Sequence, residues 1–250
     1  MFARAYDLTG DKTLIPLMIK SKNLMLLPVE EGGLMTYTPE GYIWFEEYPS
    51  EKPSLVLNGF VSAMFGLYDY MSFFPDDINT KYYYEQCIDS LKKTIACYDT
   101  GDWLIYDRYQ DNQINPVNEH YMRFQTKQME QMYNITNDSF FLERYNKFSN
   151  YNINNYFRNV KVRVNGMFVT FSSPPIIIEG RTYVPAKELY NYIKTLSGKS
   201  FNVNTNIAHT LPCRIIGETE FISLRSVIES IDGKVKWIPD AKTVSVEIGN

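Results

Sequence analysis

The sequence predicts a two-part chain: stacked pairs of α-helices followed by a small α+β domain. Three observations lead there. Apolar residues recur at helical spacing through the first 150 or so positions, then at alternate positions from about Val160. The charge changes sign near the same place, from −7 over residues 1–158 to +3 over 159–250. Between the two patterns lies NKFSNYNINNYFR, Asn146–Arg158, polar and rich in asparagine. We therefore expect domains at 1–150 and 159–250, joined by a linker at 151–158.

The helical half reads in order. Phe2–Leu8 has apolar residues at helical spacing and stops at TGDK, where Asp11 can cap a second helix, Thr13–Leu26. Pro16 falls in that helix's first turn, where proline is tolerated. VEEGGLMTYTPEGYIWFEEYPS is a loop or short hairpin, punctuated by Gly32-Gly33 and Pro39-Glu40-Gly41. Ser54–Phe73 is a long apolar helix with too few polar residues for an exposed face. Lys81–Tyr98 is amphipathic, with Tyr84, Cys87, Ile88, Leu91, Ile95 and Tyr98 on one stripe. Glu119–Tyr133 and Ser139–Tyr151 complete the set. YDLTGDKTLIPL and YNITNDSFFLERY both run helix end, polar turn with Asp, new helix. Repeated helix pairs of this kind need neighbours to bury their faces, and stack into bundles or toroids.

From Val160 the period is two. VKVRVNGMFVTF alternates around Asn165-Gly166, a strong hairpin signal. Glu179-Gly180 and Pro239-Asp240 mark further turns. EGRTYVPAKELYNYI and ETEFISLRSVIESI read as an internal repeat of turn, strand and helix.

Composition excludes several classes. The net charge of −4, without clustered Lys and Arg, argues against a nucleic-acid partner. No apolar run approaches the ~20 residues of a membrane-spanning helix. MFARAYDLTGDK lacks the basic and apolar regions of a secretion leader. Cys87 and Cys97 lie roughly 15 Å apart along one helix, too far for a disulfide. With no CxxC and two isolated histidines, His120 and His209, no metal site is expected. The 20 tyrosines are the compositional excess; such rings fill cores and also stack on sugars.

The phrases RAYDLTGD, EEYPS, PSLVLNGF, GLYDY and YDTGDWLIYD, with the region of Tyr121, occur in the order found in D-glucuronyl C5-epimerases. Residues 1–150 resemble the C-terminal helical domain of that family. The resemblance implies a partial α/α toroid that begins within a later helix pair of the family's domain, so an N-terminal partner region or an oligomer is expected to complete it. NGMFVTFSSPPIIIEGRTYVP and FISLRSVIES…VKWIPDAKTVSVEI resemble the N-terminal-like domain of copper amine oxidases, a module that carries no copper ligands.

The family resemblance implies C5-epimerisation of D-glucuronate to L-iduronate in a heparosan-like polysaccharide, extracellular or at the cell surface, with no cofactor. Such a reaction removes a proton α to a carboxylate and returns it from the opposite face, so it needs two acid/base groups and stabilisation of developing charge. By the same resemblance Glu47, Tyr48 and Tyr121 are the catalytic residues, with Glu47 and Tyr121 as the two-sided pair. Tyr106 is a candidate to bind substrate, and Arg108, one position from the family's arginine, to meet its carboxylate. Asn58, an amide on an apolar helix that must find partners, either binds substrate or braces the EEYP loop. Glu46 reads as a solvated or capping carboxylate. The family carries two histidines where this chain has Met122 and Gln125, and the alternative reading is a non-catalytic carbohydrate- or wall-binding protein.

Overall fold

A computed structural model describes residues 1–109, 114–197 and 211–249. The chain divides into two compact units, one of residues 1–98 and 105–150, the other of 99–104 and 151–250.

In the first unit, α1 (Phe2–Thr9) and α2 (Leu14–Leu26) form one helix pair, α3 (Leu57–Phe73) and α4 (Ile78–Thr94) a second, and α5 (Glu119–Thr136) and α6 (Ser139–Ser149) a third. The sequence repeat has a structural counterpart. α1 ends on Gly10 and α5 on Asn137, both left-handed, with φ of 66° and 54°. Their N–H groups reach back to the carbonyls of Tyr6 and Tyr133 at 2.7 and 2.8 Å. An aspartate then follows each. Asp138 caps α6 by accepting from the Phe140 N–H at 2.9 Å. Asp11 accepts from the Thr13 N–H and hydroxyl at 2.9 and 2.7 Å, and Thr13 precedes the first residue of α2.

A two-stranded hairpin, β1 (Met35–Tyr37) and β2 (Ile43–Phe45), lies between the first and second pairs. Trp44 on β2 stacks on Phe60 of α3, ring centroids 3.8 Å apart, and on Tyr98 at 5.8 Å. Leu57, Phe60, Val61, Met64 and Leu67 of α3 have no exposed surface. Each such side chain contributes about 1.5–3 kcal/mol by leaving water, which fixes α3 as the central helix of the unit.

Two helix starts differ from the sequence reading. α3 begins at Leu57 rather than Ser54, because Leu55 has a left-handed φ of 53° that no helix residue adopts. α4 begins at Ile78 rather than Lys81, because Asp77 accepts from the Thr80 N–H at 3.0 Å and caps the earlier turn.

The second unit holds two four-stranded sheets. One has the order β4 (Met167–Val169), β3 (Lys161–Val164), β10 (Thr243–Glu247), β9 (Lys234–Ile238), with β3 and β10 parallel. The other runs β5 (Ile176–Ile178), β6 (Arg181–Pro185), β8 (Thr219–Ser223), β7 (Cys213–Ile216), all antiparallel. Asn165-Gly166 and Glu179-Gly180 each have two successive positive φ values, the geometry that closes a two-residue hairpin. The internal repeat appears as two hairpins, β5–β6 and β7–β8, each running directly into a helix: α8 (Ala186–Ser197) and α9 (Leu224–Glu229). Val162, Val184, Leu189, Ile222, Val227 and Val246 join both sheets and both helices in one core.

The stretch 151–158, read from sequence as a linker, carries a helix, α7 (Ile153–Arg158), capped by Asn152 through the Asn154 N–H at 2.9 Å. Asparagine-rich composition marked a capping site there rather than an unstructured joint. Residues 99–104, expected with the helical half, group with the sheets. Tyr151 donates to Asp99, and Asn159 donates to Asp102 at 3.1 Å.

Candidate active site

The site is built on the loop between β2 and α3. Glu46 is buried, not solvated, at 2% exposure. Its carboxylate accepts from the Ser54 N–H at 2.9 Å, the Ser54 hydroxyl at 2.6 Å and the Leu55 N–H at 2.9 Å. This closes residues 46–55 into a loop. Leu55 sits at φ 53°, unusual for a branched side chain, and the Tyr98 hydroxyl donates to its carbonyl at 2.6 Å. Two buried partners thus hold the kink that turns the chain into α3. The next residues pair with the 106–108 segment: the Leu57 N–H donates to the Tyr106 carbonyl at 3.2 Å, and the Arg108 N–H to that of Ser54 at 3.0 Å.

That framework brings Glu47, Tyr48, Tyr106 and Tyr121 together. Glu47 is exposed and lies against Gly59, where an added Cβ would stand 2.6 Å from its Oε2 and 2.8 Å from its Cβ. Tyr48, exposed, brings its hydroxyl close to the half-buried Tyr106. The ring of Tyr106 meets Tyr121 edge-on, centroids 5.3 Å apart at 78°. Tyr121 is positioned by its place in the first turn of α5, where its N–H donates to the Asn118 cap at 3.0 Å. Burial, the neighbouring Tyr48 hydroxyl and the nearby negative charge of Glu47 push the Tyr106 hydroxyl well above the ordinary phenol range, so it keeps its proton.

The other two candidate residues are placed differently. Both terminal nitrogens of Arg108 are engaged by Glu40, at 2.6 and 3.1 Å, in a fork-to-fork pair. Burial opposes the charge, but the bonds to Glu40 outweigh it, and the guanidinium's proton affinity is raised. Asn58 is buried on α3, and its Oδ1 has no hydrogen-bond partner. Its carbonyl accepts from Gln128 Nε2 of α5 at 2.9 Å, and the same amide donates to Ser62 at 3.0 Å. Gln125 is 1% exposed with neither amide atom paired, and Met122 is 5% exposed. Both face the packed interior of the unit.

Sequence reasoning missed three parts of this arrangement. Glu46 caps backbone N–H groups, one of the two roles the sequence offered, but does so buried rather than at the surface. Glu40 gave no signal, since it looks like any turn residue. Gly59 was visible inside NGF, but its close approach to Glu47 is a tertiary fact.

Among the described residues no group of His, Cys, Asp and Glu is arranged to hold a metal ion, and no helix is long and apolar enough to cross a membrane. A carboxylate and three phenols gathered beside paired helices make a site suited to acid–base chemistry. The family model for the D-glucuronyl C5-epimerase C-terminus matches residues 1–150, and the chain belongs to that family. It is 35% identical over 146 residues to the uncharacterized protein MJ1128 of Methanocaldococcus jannaschii, covering 57% of this chain and 46% of that one. It is 30% identical over 118 residues to a D-glucuronyl C5-epimerase of Caenorhabditis elegans, covering 43% of this chain and 19% of that one. The chain thus spans less than half the length of each of these relatives.

Proposed function

We propose that the helical unit epimerises C5 of D-glucuronate within a heparosan-like polysaccharide. The observation that carries this reading is the convergence of Glu47, Tyr48, Tyr106 and Tyr121 at one place, seated on Gly59. In it, Glu47 and Tyr121 stand on either side of the sugar and exchange the C5 proton between the two faces. Tyr48 relays or orients from its place beside Tyr106. Tyr106, held neutral, donates toward the charge that builds on the substrate carboxylate. Arg108, whose fork is occupied by Glu40, braces the loop, and Asn58 supports it from behind, since its Oδ1 is sealed from solvent.

Solvent-deuterium exchange at C5 of a heparosan-type oligosaccharide, read by NMR, tests the proposal. Label is expected with the native chain and lost in Glu47→Gln and Tyr121→Phe. Absence of label from well-folded native protein would overturn it.

A second reading, a non-catalytic carbohydrate-binding protein, is favoured by the burial of Met122 and Gln125 where the family carries histidines. Binding of the oligosaccharide without label would select it.

We further propose that the three helix pairs are part of an α/α toroid completed by other helices or by a second copy. Leu8, Leu17, Ile19 and Leu24 expose 86, 39, 37 and 46% of their surface, which supports a covered face on α1 and α2. A monomer in sedimentation that binds no hydrophobic dye would count against this. The second unit is read as a copper amine oxidase N-terminal-like module and the compartment as extracellular or cell-surface; labelling by antibody on intact cells would test the latter.

A further inference from the structure

The second unit carries a cavity of about 310 Å³, formed entirely from its own elements. Its floor is apolar, with Val235 and Trp237 on β9 and Ile177 on β5. Arg181, at the start of β6, and Arg225, in α9, stand at its wall. The chain has three tryptophans. Trp44 and Trp103 are buried at 0 and 5% exposure, whereas Trp237 shows 38%. The guanidinium of Arg181 makes no ion pair or hydrogen bond among the described residues. Arg225 makes one bond, to Glu229 at 3.2 Å, with both side chains 56% exposed, a contact that water already weakens.

An exposed indole beside two available guanidinium groups suits a ligand with a flat C–H face and a carboxylate. A pyranose uronate has both. The indole covers the apolar face of the ring, and an arginine fork matches the carboxylate. The cavity lies within the size range of small-molecule sites, and one sugar unit fits it. Charge points the same way: the second unit carries 12 basic and 10 acidic residues, +2, while the first carries 13 and 19, −6, so a polyanion is favoured at the second unit.

We propose that this cavity is a binding subsite for one uronate unit of an acidic polysaccharide, with Trp237 as the stacking platform and Arg181 and Arg225 as the carboxylate clamp. The choice of saccharide rests on the functional reading above; the choice of a carboxylate with an apolar face rests on the cavity itself.

The test uses the full chain, a heparosan-type tetrasaccharide and the same tetrasaccharide with its carboxyl groups reduced. The Trp237 indole cross-peak, assigned with Trp237→Phe, is expected to shift on titration with the acidic sugar and to stay in place with the reduced one. Arg181→Gln with Arg225→Gln is expected to weaken the binding seen at that peak by about tenfold or more, while C5 exchange on the tetrasaccharide stays unchanged. C5 exchange without any Trp237 shift would sink the subsite and leave the epimerase reading standing. A Trp237 shift without exchange would do the reverse. Equal shifts with both sugars would remove the arginine clamp and with it the proposal.

Discussion

The side chain of Glu47 occupies the space that any Cβ on Gly59 would need, 2.8 Å from its own Cβ and 2.6 Å from Oε2. Gly59 lies inside α3, where alanine is a better helix former by about 1 kcal/mol. A methyl group there gains that propensity but meets the Cβ of Glu47, which moves only with its backbone, so Gly59→Ala should lower the melting temperature by a few degrees while displacing the carboxylate. C5 exchange is expected to fall on the order of 10²-fold, as for a misplaced reacting group. Full exchange in a folded Gly59→Ala chain would show that the position of Glu47 is not critical.

Two neighbouring carboxylates should behave oppositely. Glu46 satisfies two backbone N–H groups and a hydroxyl, so Glu46→Ala orphans them and should cost about 2–4 kcal/mol in urea unfolding. Glu47 is exposed, and Glu47→Gln should change stability by no more than about 0.5 kcal/mol. Equal destabilisation by the two would contradict this division of labour.

The Arg108–Glu40 pair yields a test of Arg108's role. Lysine cannot reproduce the two-pronged contact, so Arg108→Lys should lower the urea midpoint by an amount equivalent to about 1–3 kcal/mol, and Glu40→Gln by a similar amount. Neither change should raise KM for the oligosaccharide more than about twofold, against about tenfold for each 1.4 kcal/mol of substrate binding lost. A large KM effect in the Arg108 variant alone would assign that residue to substrate after all.

Asp77 sets an acid limit. Partial burial pushes its carboxyl upward, but the Thr80 N–H, Lys22 and Tyr70 outweigh it and hold it down at about 2. A carboxyl depressed in the folded state stabilises fully above its unfolded value near 3.8 and stops doing so as pH falls to about 2. Allowing for solvent screening, the native chain should lose about 1–2 kcal/mol more than Asp77→Asn across that window, measured by urea unfolding at each pH. Parallel curves for the two proteins would refute the assignment.

Much of this molecule was legible in the chain. Helical spacing located the α-helices described in the first unit; α5, for one, buries Met122, Gln125, Met129 and Met132 along a single face. Asn165-Gly166 and Glu179-Gly180 announced their hairpins because both residues of such a turn need positive φ. The EEYPS and VLNGF phrases identified the family that the match over residues 1–150 shows. The starts of α3 and α4 differ from the periodicity because local backbone and capping set them: the left-handed Leu55, held by Glu46 and Tyr98, delays one helix, and Asp77 adds a turn to the other.

What the sequence determined by itself was therefore local: periods, turns, and the residue types available for chemistry. Which of two adjacent glutamates faces solvent, whether Arg108 is free or clasped by Glu40, and that Gly59 makes room for Glu47 were decided only in the tertiary structure. Each depends on a partner far along the chain, and a partner's distance is not written in the spacing of neighbours. Glu46 and Leu55, Glu40 and Arg108, Tyr106 and Tyr121 meet because α3, the hairpin and α5 pack around one core, and that packing selects which of the available groups can meet a substrate.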